Sequence, residues 1–152
     1  MKEQRGFRSF MDEALEQARL AGTRGEVPVG AVVVLGDRVV ASAGNRTREL
    51  HDLTAHAELL AIRAACAALG SERLTGHDLY VTLEPCPMCA AAISAARISR
   101  LYYAASDPKS GGVAQGPRVF THPQCHHAPE VYDGIAAEAS ESLLKDFFAT
   151  RR

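Results

Sequence analysis

Several features that define other classes of protein are absent from this sequence. It has no charged amino-terminal segment followed by an apolar run, so we expect no secretory signal peptide. No apolar stretch approaches the ~20 residues that a membrane-spanning helix needs. We therefore expect a cytoplasmic protein with no membrane partner.

The sequence also lacks internal repeats, low-complexity tracts and linkers. Its 152 residues are 47% hydrophobic and 23% charged, which is ordinary for a globular protein. A chain of this length buries roughly two-thirds of the surface that it exposes when unfolded. We expect one domain that spans residues 1–152.

Cysteine is scarce, and its four positions do not suggest a disulfide framework: Cys66, Cys86, Cys89 and Cys125. In an intracellular chain, a Cys-x-x-Cys pair such as Cys86 and Cys89 more often binds a metal or takes part in catalysis. Cys66 lies among alanines in a helical pattern and is expected to be a small buried residue. Cys125 lies in a His-rich loop, where it is either exposed or an accessory ligand.

Hydrophobic periodicity predicts an α/β protein. The predicted elements are, in order, a helix from Phe7 to Ala21, strands over 27–35 and 38–43, a helix from an N-cap at Thr54 to Gly70, a strand over 79–83, a helix over 88–97, strands over 98–105 and 130–132, and a last helix with Leu143, Leu144, Phe147 and Phe148 on one face. The helix between the third and fourth strands makes these strands a right-handed parallel crossover. The prediction is a three-layer α/β/α sandwich with a mixed five-stranded sheet.

The most specific chemistry lies in two short stretches, His56-Ala57-Glu58 and Glu84-Pro85-Cys86-Pro87-Met88-Cys89. One histidine and two thiols form a ligand set suited to zinc. Three protein ligands leave the fourth tetrahedral position to water, as in catalytic zinc sites, and zinc lowers the pKa of that water to about 7. Glu58, two residues from His56, points to a different side of a helix and stays off the metal. It is the predicted general base.

Two other interpretations of the cysteine pair stay open. A Cys-x-x-Cys pair at a helix start is also the pattern of thiol oxidoreductases, although redox chemistry has no need for His56 and Glu58. A closed structural zinc site would need a fourth ligand, for which His51, His77 and Cys125 are candidates.

The pattern resembles the zinc-dependent nucleobase deaminases, whose signature is H-x-E…P-C-x-x-C. Within that superfamily of cytidine and deoxycytidylate deaminases, the chain is most similar to the bacterial tRNA adenosine deaminases, over Glu26–Ala31, Asn45-Arg46, Thr54–Glu58, Tyr80–Cys86, Asp107–Gly111 and Asp146–Phe148. The sequence departs from that pattern at Ala90–Ala92, Gln115–Arg118 and Thr121–Cys125.

The resemblance implies an activity and a set of site residues. It implies one Zn²⁺ per subunit, held by His56, Cys86 and Cys89, and hydrolytic conversion of the wobble adenosine of a tRNA for arginine to inosine, with Glu58 as proton shuttle. It also implies a homodimer that binds the anticodon stem-loop. The implied substrate contacts are Asn45, Ala57, Pro85, Asp107, Lys109, Phe147 and Arg151.

The charge pattern gives limited support to an RNA substrate. The net charge of −1 does not suggest nucleic acid binding, which usually shows as a basic face. Between Pro85 and Ala128, however, four basic residues stand against the single acidic residue Asp107: Arg97, Arg100, Lys109 and Arg118. This predicts a local basic rim around the zinc ligands.

Two further hypotheses compete with a tRNA deaminase. One is a deaminase of a free base or nucleoside, such as guanine or cytosine, on the same fold. The other is a non-catalytic zinc-stabilised binding module. The sequence does not assign roles to His122, His126, His127 and Cys125.

Overall fold

The structure, a computed structural model, describes residues 9–151; Phe7 and Arg152 lie outside this range. Four α-helices and five β-strands are present within it. The helices are α1 (Met11–Thr23), α2 (Ala57–Leu69), α3 (Pro87–Ala95) and α4 (Ala137–Ala149). The strands are β1 (Gly30–Leu35), β2 (Arg38–Gly44), β3 (Asp78–Leu83), β4 (Arg100–Ala105) and β5 (Glu130–Asp133).

The strands form one mixed sheet in the order β2-β1-β3-β4-β5. The antiparallel pairs are β1 with β2 and β1 with β3, whereas β3, β4 and β5 run parallel. The predicted hairpin and the predicted parallel crossover through α3 are therefore confirmed. The carboxyl ends of β3 and β4 meet at one edge of the sheet, and the chain after β3 leads directly to Cys86.

Alternating side chains of the strands build a core on each face of the sheet. Ala31 and Val33 of β1 belong to the core that includes α2 and α3, whereas Val32 and Val34 belong to the core that includes α1. Helix α4 packs beside α1 and against β4. The helices thus cover both faces, and the predicted three-layer sandwich is confirmed.

Two local predictions were wrong. Thr54 does not cap α2: its N–H and hydroxyl both donate to Asp52 Oδ1, at 2.9 and 2.7 Å, and the residue before the helix is His56. The first strand begins at Gly30 rather than at Val27, because the N–H of Val29 donates to the carbonyl of Val27 at 2.8 Å in a tight turn.

No helix in the part of the chain that the structure describes combines the length and the apolar character needed to cross a membrane.

Candidate active site

Two helix starts on the same face of the sheet bring the metal-ligand candidates together. His56 immediately precedes α2, and Cys86 immediately precedes α3. Pro87 occupies the first position of α3, where its missing N–H costs no hydrogen bond, and Cys89 follows in the first turn. Both helix N-termini contribute positive potential, which favours thiolates at this point.

The distances between the three ligand atoms fit a zinc ion. His56 Nδ1 lies 3.7 Å from Cys86 Sγ and 3.5 Å from Cys89 Sγ. Zn–N and Zn–S bonds of about 2.0 and 2.3 Å at a tetrahedral angle require an N–S separation of roughly 3.5 Å. Within residues 9–151, no fourth His, Cys, Asp or Glu ligand joins this group. The donor set is that of an open, catalytic zinc site.

Glu58 lies beside these ligands but is not one of them. It is 4% exposed, and burial raises its pKa to about 7. His56 precedes the helix with an extended backbone (φ −76°, ψ 153°), so helical spacing does not separate the two side chains, and both line one cavity. The prediction that Glu58 stays off the metal agrees with this geometry, although the reason given for it was wrong.

The pKa values of the two thiols shift in opposite directions. A hydrogen bond from the Cys89 thiol, followed by one from His56, lowers the pKa of Cys86 to about 4. The same bond to Cys86, together with burial, raises the pKa of Cys89, and the bond to Cys86 raises the pKa of His56. Metal binding displaces these protons, because zinc binds thiolates and neutral imidazole.

A cavity of about 230 Å³, which we call the inner cavity, opens beside His56, Glu58 and Cys86. Four segments form its walls: the residues before β1, the loop after β2, the end of β3 and the loop after β4. The lining residues are Val27, Val29, Asn45, Thr47, Leu83, Glu84, Asp107 and Ser110. The amide of Asn45 is partly engaged: Nδ2 donates to the Val27 carbonyl at 3.1 Å, and Oδ1 accepts the N–H of Ala57 at 2.8 Å. One N–H of the amide is left for a ligand.

A second cavity of about 480 Å³ extends the first one, since the two share Val27, Leu83, Asp107 and Ser110. Its further lining includes Lys109 and the half-exposed ring of Phe148. We refer to it as the side cavity.

The other sequence-predicted contacts have separate positions. Ala57 is fully buried, and the carbonyl of Pro85 accepts the N–H of Gly112 at 2.8 Å. Phe147 and Arg151 line a groove between α1 and α4, where the Arg151 guanidinium lies 4.1 Å from the centre of the Phe147 ring.

The candidates for a fourth, structural ligand lie elsewhere. The His77 ring contacts the carbonyls of Leu74 and Thr75, both at 3.2 Å. Cys125 contacts Ser94 and the carbonyl of His127. Neither these two residues nor His51 joins the metal-ligand group in the described range.

Of the four basic residues predicted to surround the zinc ligands, Lys109 is the one that lines the inner or the side cavity. Arg100 pairs with Asp78 at 3.1 Å, and Arg97 lines a groove on α3.

Besides Glu58, two buried carboxylates hold loops that contribute to the cavity wall. Glu84 is 2% exposed and accepts four backbone N–H groups, from Asp107, Val113, Ala114 and Gln115, at 2.9 to 3.1 Å. This agrees with the expectation that Glu84 supports a loop. Glu26, which is 1% exposed, had no predicted role, although it opens the stretch Glu26–Ala31 that carries part of the family resemblance.

Comparisons with known proteins agree on the same relatives. The family profile for the cytidine and deoxycytidylate deaminase zinc-binding region matches residues 5–105. The chain is 64% identical to the tRNA-specific adenosine deaminase of Agrobacterium fabrum over 94% of each chain. It also matches a solved structure from a study of A-to-I editing by tRNA:A34 deaminases, with 65% identity and a TM-score of 0.88, over 89% of this chain and 98% of that one.

A more distant solved structure has a different named substrate. The guanine deaminase of Bacillus subtilis is 32% identical, with a TM-score of 0.64, over 93% of this chain and 91% of that one.

Proposed function

Because the chain belongs to the cytidine and deoxycytidylate deaminase zinc-binding family, we propose that it converts the wobble adenosine of a tRNA anticodon to inosine, in a tRNA for arginine. The observation that carries the chemistry is the open group of His56, Cys86 and Cys89 with buried Glu58 beside it. The substrate is proposed from the 64% identity to a tRNA-specific adenosine deaminase over nearly the whole chain. We also propose that residues 1–152 form one catalytic domain, located in the cytoplasm.

The reaction adds water to the ring carbon that bears the amino group and releases ammonia, leaving inosine. Zinc, when bound at His56, Cys86 and Cys89, supplies a water of lowered pKa. Glu58 accepts a proton on its carboxylate and returns it to the departing amino group. Burial suits Glu58 to this work, because it raises the pKa of the carboxyl and so makes it a better proton acceptor.

The substrate purine is oriented by polar groups of the cavity wall. In this proposal the unengaged N–H of Asn45 donates to a ring nitrogen of the purine edge, and its two protein contacts support this by fixing the amide plane. Ala57 and Pro85 stay proposed parts of the base site because they adjoin the metal ligands His56 and Cys86 in the chain.

The side cavity favours a polynucleotide substrate over a free base. It continues the small cavity outward and presents one aromatic ring and one cation, at Phe148 and Lys109. An everted base of a single-stranded loop stacks on such rings, and phosphates pair with such cations. Asp107 lies between the two cavities. Phe147 and Arg151 are proposed contacts to more distant nucleotides, in the groove between α1 and α4.

Another relative also concerns tRNA. The chain is 46% identical to 27% of a tRNA(Ile)-lysidine synthase from Deinococcus deserti, so a domain of this type occurs within a chain named for tRNA modification.

We also propose a homodimer. The outer faces of α2 and α3 are exposed and unusually apolar, at Ala64, Ala67, Ala68, Leu69, Ala91 and Ala95. Leu53, on the loop that precedes α2, is 85% exposed. A contiguous patch of exposed apolar side chains marks a candidate interaction face, which we propose a second subunit covers.

A free-base deaminase is the second candidate. Its support is the similarity to a guanine deaminase and the small volume of the inner cavity, about 230 Å³. A non-catalytic zinc module is disfavoured by the open ligand set and by the buried Glu58.

The deciding experiment measures product formation by zinc-loaded protein. An adenosine-wobble anticodon stem-loop is incubated beside free adenosine, guanine and cytosine, and inosine and ammonia are quantified. We expect inosine only in the stem-loop, and a loss of at least about a thousandfold in Glu58→Gln at unchanged zinc content. Turnover of a free base alone would move the substrate to the second candidate, and full turnover by E58Q would refute the proton-shuttle mechanism.

A further inference from the structure

Glu26 is a buried carboxylate that the proposed mechanism does not use. It lies between α1 and β1 and is 1% exposed. Its oxygens accept the backbone N–H groups of Arg48 at 3.1 Å and Glu49 at 2.9 Å, and the hydroxyl of Thr47 at 3.4 Å. No ion pair of Glu26 is found within residues 9–151. These three hydrogen bonds of Glu26 all come from one loop, which we call the 46–50 loop.

Further hydrogen bonds join the same two segments. The Val27 carbonyl accepts Asn45 Nδ2 at 3.1 Å, and the Val29 carbonyl accepts the N–H of Asn45 at 3.1 Å. Glu26 thus closes a ring of contacts that holds Asn45 in place. Because Thr47 lines the inner cavity, the ring also shapes the cavity wall.

Asn45 connects this ring to the catalytic helix. Its Oδ1 accepts the N–H of Ala57, the first residue of α2, at 2.8 Å. Ala57 lies between His56 and Glu58, and no side-chain cap from His56 satisfies the helix start. The Asn45 oxygen therefore takes the place of an N-cap, at the one point where displacement moves both functional side chains.

We propose that Glu26 is a positioning residue: by holding the 46–50 loop it fixes Asn45, and through Asn45 it sets the start of α2 and the placement of Glu58. The inference rests on the proposed function for its activity readout. Its second readout, hydrogen exchange, does not depend on any substrate.

Replacing Glu26 with Gln tests the proposal with little change in shape. The amide presents an NH₂ group to backbone N–H donors, so at least one of the two buried contacts is lost. Glu49→Gln is the matched control, because it makes the same change in the same loop on an exposed side chain that pairs with Arg46. Val34→Ala, in the core at the far end of β1, controls for general loss of stability.

Each zinc-loaded variant is measured well below its Tm. The measurements are its zinc content, its kcat and KM on the stem-loop, and its amide hydrogen exchange by NMR. We expect E26Q to lower kcat by about tenfold or more with full zinc content, because small displacements of reacting groups are costly. We expect E49Q and V34A to stay within about twofold. Exchange should be at least about fivefold faster at Ala57 as well as in the 46–50 loop of E26Q.

Wild-type kcat in E26Q, or faster exchange in the 46–50 loop with Ala57 unchanged, would overturn the proposal. If the wild type fails to convert the stem-loop, the proposed function falls, and exchange at Ala57 alone decides the role of Glu26. Should E26Q not fold, Glu26→Asp keeps the charge, withdraws it by one methylene, and is judged by the same two readouts.

Discussion

Burial gives Glu58 its proton affinity and also makes it costly to the folded state. Its folded pKa, about 7, lies above the ordinary value of 4.5, so the folded chain keeps a proton that the unfolded chain releases. The contribution of Glu58 to the free energy of unfolding therefore falls as pH rises from about 4.5 and is lowest above 7. A shift of this size corresponds to a few kcal/mol at most.

We therefore expect E58Q to stabilise the zinc-free protein in alkaline but not in acidic solution. Gln carries no charge, so it avoids the cost of burying one. Thermal unfolding of chelated wild type and E58Q, at several pH values from 5 to 8.5, checks this. The Tm difference should be near zero at pH 5 and several degrees by pH 8. A difference that does not change with pH would contradict it.

At the scale of residues, functional side chains that are close together in the sequence were predictable, whereas contacts between distant segments were not. Cys86 and Cys89 are three positions apart, and His56 and Glu58 are two apart, so short motifs contain the chemistry. Glu26 meets its partners Arg48 and Glu49 at separations of 22 and 23 residues. The hydrophobic periodicity of a sequence cannot predict such a contact, because the contact depends on how the segment before β1 lies against the loop after β2.

Helix α4 presents its two adjacent phenylalanines to different surfaces. Phe148 lines the side cavity with Lys109, whereas Phe147 lies with Arg151 in the groove between α1 and α4. Neighbours on a helix point about 100° apart, so a sequence cannot say which one faces the site until the packing of the helix is known.

Phe148→Ala should raise the KM for the stem-loop by about tenfold, because stacking of one base is worth a few kcal/mol at most. Phe147→Ala is the matched comparison and should change KM less. Steady-state kinetics on the stem-loop measure both. A larger effect in F147A would place the nearer nucleotide in the groove between α1 and α4 instead. Zinc content should be unchanged in both variants.

The helices and strands were predictable because the spacing of apolar residues is clear. The residues at which they begin and end depend on single contacts. The continuous apolar run from Val27 predicts a strand, yet Pro28 has no N–H for a ladder and Val29 donates to Val27. The start of α2 at His56 likewise depends on Asp52 engaging Thr54, a local bond that competes with capping. Such choices differ by little energy and are therefore hard to anticipate.

At the scale of the whole molecule, the helix layer of α2 and α3 borders both surfaces for which we propose a use. The loops at the carboxyl ends of β3 and β4 form the cavities, whereas α2 and α3 cover one face and leave their outer sides bare. These exposed sides carry mostly alanine, which permits close approach of a second helix pair. The near-neutral charge of −1 does not oppose self-association.

A charged side chain at the centre of that face should break the proposed dimer. We expect the wild type to sediment as a dimer and Ala95→Arg to raise the dissociation constant by about tenfold or more, because a buried unpaired charge is costly at an interface. Ala139→Arg, on exposed α4, is the matched control and should stay dimeric. Analytical ultracentrifugation over a range of concentrations gives both constants. A monomeric wild type, or a dimer that A95R leaves intact, would show that this face is not the interface.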